Sequence, residues 1–302
     1  MPKVSVIIPT YNRAGRVVAA VDSVLGQTYE DRGIIVIDDG STDETKAVLQ
    51  RYGGKIKCLF AEHDGPIAAR NLGIRNSTGK YIAFLDSDDT WLPDKLAAQI
   101  EVLERDEDVG LVFTDMYLVD EKGKTEKLFS DWADIVDGRV FRHLLRGNFI
   151  SMSSVVIRKT CLDRVGALEE SAAQIGVEDY HLWLRLTKHF AVKYIDRPLV
   201  NYSIGGEDKL TSVDKLDKLA RISEVLRDIG GKMDLSGEER RLLRKSAAKN
   251  LYEMGRLLSR SGSHEKAVEK FGSAIKLRPL YLRAYYFLLV SFLNAVRASC
   301  FL

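Results

Sequence analysis

The sequence is short of cysteine, of long apolar runs and of net charge, and each shortage removes a class of protein. Only three cysteines, Cys58, Cys161 and Cys300, occur in the 302 residues; they are far apart and odd in number. Neither a disulfide framework nor a metal-binding spacing follows from them, which favours a reducing compartment. No run of the ~18 apolar residues that a spanning helix needs is present. The nearest approach, residues 280–293, is interrupted by Arg283. The N-terminus lacks the basic region, long apolar stretch and small-residue cleavage site of a signal peptide, and residues 4–8 read as a buried strand. Net charge is +2, so no basic field argues for nucleic acid. What remains is ordinary for a soluble globular chain, 45% apolar and 29% charged. Its length suits one large domain plus a small one.

The first half alternates between two periodicities. Residues 4–8, 34–37, 57–60, 81–85 and 111–114 read as strands. Val17, Val18, Val21, Val24 and Leu25 recur at helical spacing, as do Leu92, Leu96, Ile100 and Leu103; residues 43–51 and 66–74 also read as helices, the first capped by Ser41, Thr42 or Asp43. Such alternation predicts an α/β fold, a mostly parallel sheet flanked by helices. Ligands of such sheets bind beyond the carboxyl ends of the strands. The residues expected there are Pro9 to Arg13, Asp38 to Ser41, and Asp86 to Asp89. Carboxylates gathered on two strand ends repel one another unless a cation or hydrogen-bond donors satisfy them.

From about Gly205-Gly206 the composition turns rich in Leu, Lys, Arg and Glu, as helices are. Gly255, Ala267, Phe271, Ala274 and Pro279 stand at the spacing of one ~34-residue tetratricopeptide repeat. A lone repeat cannot bury its own face, so this hairpin is expected to lean on the catalytic domain, another chain or a membrane. The expected domains are 1–205, a helical linker 206–247, and the hairpin with an apolar terminal helix, 248–302. Residues 285–293 are apolar almost all round with Arg278, Arg283 and Arg297 nearby. Too short to cross a bilayer, they suit the membrane interface, or the first helix of an incomplete second repeat that buries its face on an oligomer partner or on the N-terminal domain.

Asp86-Ser-Asp88 suits a hard divalent cation, Mg²⁺ or Mn²⁺, which accepts one or two carboxylates and completes its shell with phosphate oxygens and water. The cation would neutralise a leaving diphosphate. Asp88 or Asp89 also suits a helix cap. Asp38 or Asp39 can accept the ring N–H of a uracil or similar base, or serve a turn and helix cap, while Asp43 reads as a cap. Arg70, in the turn and helix from Gly65 to Gly73, offers a fork that matches phosphate oxygens, and alone it reads equally as a surface residue. Glu178 suits a helix start. Asp179 suits a general base for an acceptor hydroxyl. His181 is a possible metal ligand or a structural histidine, and Trp183 and Leu184 look like core.

Taken in order, Val4-Ser-Val-Ile-Ile-Pro-Thr-Tyr-Asn-Arg13, Ile37-Asp-Asp-Gly-Ser-Thr-Asp43, Gly65 through Gly73, Tyr81-Ile-Ala-Phe-Leu-Asp-Ser-Asp-Asp89 and Val177-Glu-Asp-Tyr-His-Leu-Trp-Leu-Arg185 resemble the family 2 glycosyltransferases of the GT-A fold. Asn148 to Val156 looks like the family's acceptor-side segment. The resemblance covers about residues 3–204 and implies an inverting, metal-dependent transfer from a nucleotide-diphosphate sugar, a UDP-sugar by preference, to a saccharide or lipid-linked acceptor. It implies that Pro9 and Tyr11 flank the base and Asp39 bonds it. Arg70 would lie near the diphosphate, Asp86 would contact the ribose or metal-bound water, Asp88 would bind the metal, and Asp179 would be the base. His63 stands where such proteins often carry Asn. The implied setting is cell-surface polysaccharide or glycolipid synthesis in the cytoplasm, peripheral at the inner face of the membrane. A nucleotidyltransferase, a non-catalytic binding module and a retaining transferase are the rival readings.

Overall fold

The computed structural model describes residues 1–120, 123–171, 174–204 and 214–300. In chain order the regular elements are β1 (Val4–Thr10), α1 (Ala14–Leu25), β2 (Arg32–Asp38), α2 (Thr45–Gln50), β3 (Lys57–Phe60), α3 (Pro66–Arg75), β4 (Tyr81–Phe84), β5 (Thr90–Trp91), α4 (Lys95–Arg105), β6 (Val109–Asp120), β7 (Gly123–Leu128), α5 (Phe141–Leu144), β8 (Val155–Arg158), α6 (Lys159–Val165), α7 (Glu178–Thr187), β9 (Ala191–Ser203), α8 (Lys215–Lys232), α9 (Gly237–Arg260), α10 (His264–Leu277) and α11 (Leu282–Cys300). They form two compact units. One comprises Met1–Phe141, Phe149–Glu170 and Glu178–Lys209; the other Arg142–Asn148, Ser171–Val177 and Leu210–Leu302. The expected boundary at 205 and its Gly205-Gly206 pair lie outside the described residues. The stretch expected as a linker, 206–247, contributes α8 and the first half of α9 to the same unit as the hairpin.

The sheet unit is built on the order β3-β2-β1-β4-β8-β6-β9-β5, with β7 beside β6. Its N-terminal half, β3-β2-β1-β4, is parallel throughout, as the alternation predicts. β8 then enters antiparallel between β4 and β6, β9 lies parallel to β6, and β5 lies antiparallel to β9. The second half carries no regular strand–helix alternation in its sequence, so this mixed pairing was not readable there. Register brings Thr10 beside Asp38 and Ile7 beside Phe84, which aligns the carboxyl ends of β1, β2 and β4.

Local chemistry sets the details. α1 buries Val17, Ala20, Val21 and Val24, a single helical stripe against the sheet. α2 starts later than expected because Asp43 works as a turn residue. Its carboxylate accepts from Thr45 N at 2.9 Å and from Ala14 N at 3.1 Å. Leu92 falls outside α4, since Thr90–Trp91 pairs with β9 and Pro93 follows. Gly73 lets α3 lie on the sheet: a Cβ there would stand 2.5 Å from Ile7 Cγ2 and 2.9 Å from Ile37 Cδ1.

In the helical unit, a reciprocal capping box starts α9, with Ser236 Oγ accepting from Glu239 N and Glu239 accepting from Ser236 N. Asn250, buried, donates to Leu219 O and Ser223 Oγ, tying α9 to α8. The 255/267/271/274 spacing resolves physically as a helix pair. Phe271 is fully buried against Gly255, where a Cβ would meet the ring at 2.7 Å. The expectation that this pair leans on another body is corrected in part. α8 packs on α9, α11 packs on α10, and Ala284 of α11 is fully buried with Tyr252, Phe271 and Ala274. Its relation to tetratricopeptide repeats rests on the spacing alone.

Candidate active site

The site is assembled at the carboxyl ends of β1, β2 and β4. Asn12, the described non-glycine residue with positive φ, turns the β1–α1 loop so that its side chain accepts from Thr42 N at 2.8 Å while its own N–H donates to Ser41 Oγ at 2.9 Å. This locks the first loop to the second. Pro9 is buried at the end of β1. Tyr11 is 40% exposed and stacks on His63, with ring centroids 4.0 Å apart. His63 Nδ1 in turn donates to Asp39, 2.9 Å from Oδ2. Asp39 also accepts from Asp64 N and Gly65 N, each at 3.0 Å. Its carboxylate therefore shapes the 63–65 turn, and an ionised carboxylate has further lone pairs for a ligand donor. Asp38 is turned inward and accepts from Ser41 N at 3.0 Å, a structural task.

The three aspartates after β4 diverge. Asp86 is the most open of them, its side chain 29% exposed, with Nη2 of Arg70 at 2.5 Å. Asp88 pairs with Arg13 Nη1 at 3.1 Å. Asp89 is buried, and its carboxylate is held by Ser153 Oγ at 2.6 Å and by Ser203 N at 2.9 Å. Burial first, then Asp88 and Asp86, push the Asp89 carboxyl well above the usual range. Asp89 is thus an anchor, not an open ligand. Ser153 sits in a single 3-10 turn, Met152–Ser154, that leads into β8. Because β8 is antiparallel to β4, that turn lies at the end where Asp86 emerges, and Ser153 Oγ also accepts from Asp86 N at 3.1 Å.

Arg70, expected near the diphosphate, is engaged by two carboxylates. It is 4% exposed, and its fork joins Asp86 to Glu178, 2.9 Å from Nη1. Burial would weaken its hold on the proton, but Asp86, Glu178 and Asp179 overcome that and raise its pKa above the ordinary value. Arg70 is a buried strut between β4 and the start of α7. Asp179 follows on the first turn of α7, half-buried, and accepts from Tyr180 N at 2.6 Å. His181 is buried within α7, and Trp183 is fully buried, donating to Ile150 O at 3.0 Å.

Tyr202, near the end of β9, gathers these groups. Its phenol is pushed above its ordinary pKa by burial and then by Asp89, Asp86, Asp88 and Asp179. Carboxylates from the β4 loop and from α7 therefore share one electrostatic environment. Sequence reasoning missed Arg13, Ser153 and Tyr202. Arg13 and Ser153 lay in segments already singled out, where a cation or hydroxyl beside strand-end acids was a usable signal. Tyr202 had none, because only the β6–β9 pairing brings it there.

Among the described residues, no group of three or more His, Cys, Asp or Glu is arranged to hold a metal alone. The donor set fits a hard cation that takes one or two carboxylates, with phosphate oxygens supplying the rest. Asp88, with Asp86 beside it, provides oxygen only, and the buried Asp89 keeps both in place.

A mostly parallel sheet flanked by helices, with acids gathered at its strand ends, is the arrangement of the GT-A fold. The chain belongs to glycosyl transferase family 2, whose pattern matches residues 5–159. Escherichia coli WfaP, a UDP-Glc:alpha-D-GlcNAc-diphosphoundecaprenol beta-1,3-glucosyltransferase, is 33% identical over 232 residues, 76% of this chain and 88% of that protein. An uncharacterized glycosyltransferase of Rickettsia conorii is 36% identical over 208 residues, 68% of this chain. The chain matches only 33% of that protein's length, and the same share of its Rickettsia felis counterpart. Staphylococcus aureus TarS 1–349 in complex with UDP-GlcNAc superposes with a TM-score of 0.70 at 18% identity, over 98% of this chain and 91% of that one. The mannosyltransferase PcManGT from Pyrobaculum calidifontis, in complex with GDP-Man and Mn²⁺, gives a TM-score of 0.59 at 18% identity, over 98% of this chain and 86% of that one.

Proposed function

We propose that this glycosyltransferase moves a sugar from a UDP-sugar to the hydroxyl of a lipid-linked saccharide, with inversion, in cell-surface polysaccharide or glycolipid synthesis. The observation that carries the reading is the Arg70 strut. It ties Asp86, on the donor side, to Glu178, the neighbour of Asp179. The donor assignment is supported by the UDP-sugar named for WfaP and TarS, and the acceptor by the diphosphoundecaprenol named for WfaP. A lipid-linked acceptor also fits a protein working at the inner face of the cytoplasmic membrane.

In this reading the base lies against Tyr11 and Pro9, and Asp39 accepts its ring N–H. Asp86 receives the ribose or a metal-bound water. Asp88, held by Arg13, is the ligand for Mn²⁺ or Mg²⁺. The cation, when bound, supplies neutralisation of the diphosphate's charge. Arg70 is a positioning residue. Asp179 takes the proton of the acceptor hydroxyl as its oxygen forms a bond to the anomeric carbon. The bond from that carbon to the diphosphate oxygen breaks, and nucleoside diphosphate leaves on the opposite face.

The test incubates the full chain with a panel of nucleotide sugars and Mn²⁺ or Mg²⁺ and identifies the nucleotide released by slow hydrolysis. Nucleoside diphosphate, lost on chelation and in Asp88→Ala, is the expected product. Nucleoside monophosphate would indicate attack on the α-phosphate and a nucleotidyltransferase. Full activity in excess chelator would remove the metal from the reading.

A further inference from the structure

The helical unit carries a cavity of about 480 Å³ that the transfer chemistry does not use. Its wall holds six cations, Arg146, Lys245, Lys249, Arg256, Arg278 and Arg283, against one carboxylate, Glu253. All of them belong to the same compact unit. Glu253 is already engaged by Arg256 at 3.3 Å. Among the described residues, the other five cations have no carboxylate within ion-pairing distance. Like charges converging on one concavity repel unless an anion enters it. Guanidinium forks match phosphate oxygens, and Tyr252 and Tyr281 on the same wall add hydroxyls.

Exposed leucines neighbour the lining residues of this basic cavity along the chain. Along Arg278-Pro-Leu-Tyr-Leu-Arg283, the lining residues Arg278, Tyr281 and Arg283 alternate with Leu280 and Leu282, which are 85% and 76% exposed. The outer face of α11 continues the stripe with Tyr286, Leu289, Leu293 and Val296, between 45% and 64% exposed at helical spacing. The α11 sequence contains no Asp or Glu. No described helix is long and apolar enough to cross a membrane. A soluble anion would account for the cations and leave the leucines unexplained. A second copy would cover the leucines while bringing more positive charge to a positive surface. An anionic bilayer satisfies both features, with phosphates at the level of the cations and acyl chains against the leucines.

We propose that this cavity binds the phosphate of an anionic lipid headgroup while Leu280, Leu282 and the outer face of α11 enter the acyl boundary. The inference rests on the membrane side of the function proposed above and not on the donor chemistry. The full chain is sedimented with vesicles of phosphatidylcholine alone and of phosphatidylcholine with phosphatidylglycerol. Binding to the anionic vesicles, weakened by salt, is expected. Lys245→Gln with Lys249→Gln and Arg283→Gln should lower it by roughly a hundredfold. Leu280→Ser with Leu282→Ser should also lower it although every cation remains. These five positions are exposed, so unchanged circular dichroism is expected, as is unchanged nucleotide-sugar hydrolysis. Hydrolysis reads the donor chemistry separately, so either reading can fail without the other. Equal vesicle binding by the wild-type chain and the cation variant overturns the proposal. Displacement of the protein from vesicles by millimolar inorganic phosphate, with no effect of the leucine variant, assigns the cavity to a soluble anion and also overturns it. So does indifference to the anionic vesicles combined with a dimer that the leucine variant dissociates.

Discussion

The two units handle charge in opposite ways. In the sheet unit the polar groups are withdrawn from water and tied to one another: Arg70 to Asp86 and Glu178, Asp89 to Ser153 and Ser203, Asp39 to the 63–65 turn. In the helical unit the cations stand around an open cavity, and leucines and aromatics stand in solvent beside them. A site that must hold a developing charge gains from donors and acceptors fixed beforehand, because no reorganisation is then needed during reaction. A surface that meets a fluid partner gains from long side chains that are free to adjust. The contrast separates a region organised for chemistry from one organised for contact, and substitutions can break it.

The largest effect is expected at Asp179. Loss of a general base costs ~10²–10⁴-fold in rate. Asp179→Asn should therefore transfer sugar very poorly while binding nucleotide normally in equilibrium titration. Transfer at the wild-type rate moves the base elsewhere. Next comes the strut. Arg70→Met removes the buried guanidinium that Asp86 and Glu178 share, and breaking such a buried pair costs ~3–5 kcal/mol. Urea unfolding should show that loss, whereas the exposed Lys245→Met in the helical unit should stay within ~0.5 kcal/mol. Comparable losses from the two would erase the distinction between the units.

A smaller and more discriminating pair uses two glycines that both face crowded neighbours. A methyl at Gly73 meets Ile7 and Ile37, and one at Gly255 meets the Phe271 ring. Overpacking of this kind costs ~1–3 kcal/mol. Both Gly73→Ala and Gly255→Ala should lower the unfolding free energy. Only Gly73→Ala should also weaken nucleotide-sugar binding, because α3 carries Arg70. The smallest effect concerns pH. Hydrogen bonds from Tyr81 and Lys80 hold the Glu104 carboxyl down at about 2. An unfolded Glu titrates near ~4.3. The ionised form thus stabilises the fold above that value, and the contribution disappears as pH falls through the folded value. Glu104→Gln should flatten the acid limb of the stability curve between those two points and leave activity at neutral pH unchanged.

Much of the sheet unit was legible in the sequence because periodicity is local. β3 begins and ends at the expected residues, and α3 differs from the expected helix by one residue at its end. The strand-end rule then directed attention to Asp39, Asp86 and Asp88. What the rule did not reveal was which way each carboxylate faces. Asp88 and Asp89 are neighbours of one residue type, yet Arg13 holds the first and Ser153 and Ser203 enclose the second. Nor did the rule reveal that the Arg70 fork, which fits phosphate and carboxylate alike, is held by Asp86 and Glu178.

The sequence by itself determined the alternation of strand and helix, the polar strand ends and the hairpin marked by Gly255 and Phe271, since each depends on residues a few positions apart or on a spacing that repeats. Tertiary structure alone decided that β8 enters antiparallel, which carries Ser153 to Asp86. It decided that β9 delivers Tyr202 to the acids and that Arg70 lies within reach of both Asp86 and Glu178. It also decided that cations from 146, 245–256 and 278–283 line one cavity. These partners are separated by tens to more than a hundred residues. Only the register of the sheet and the packing of the helices set such distances, and neither leaves a periodic trace along the chain.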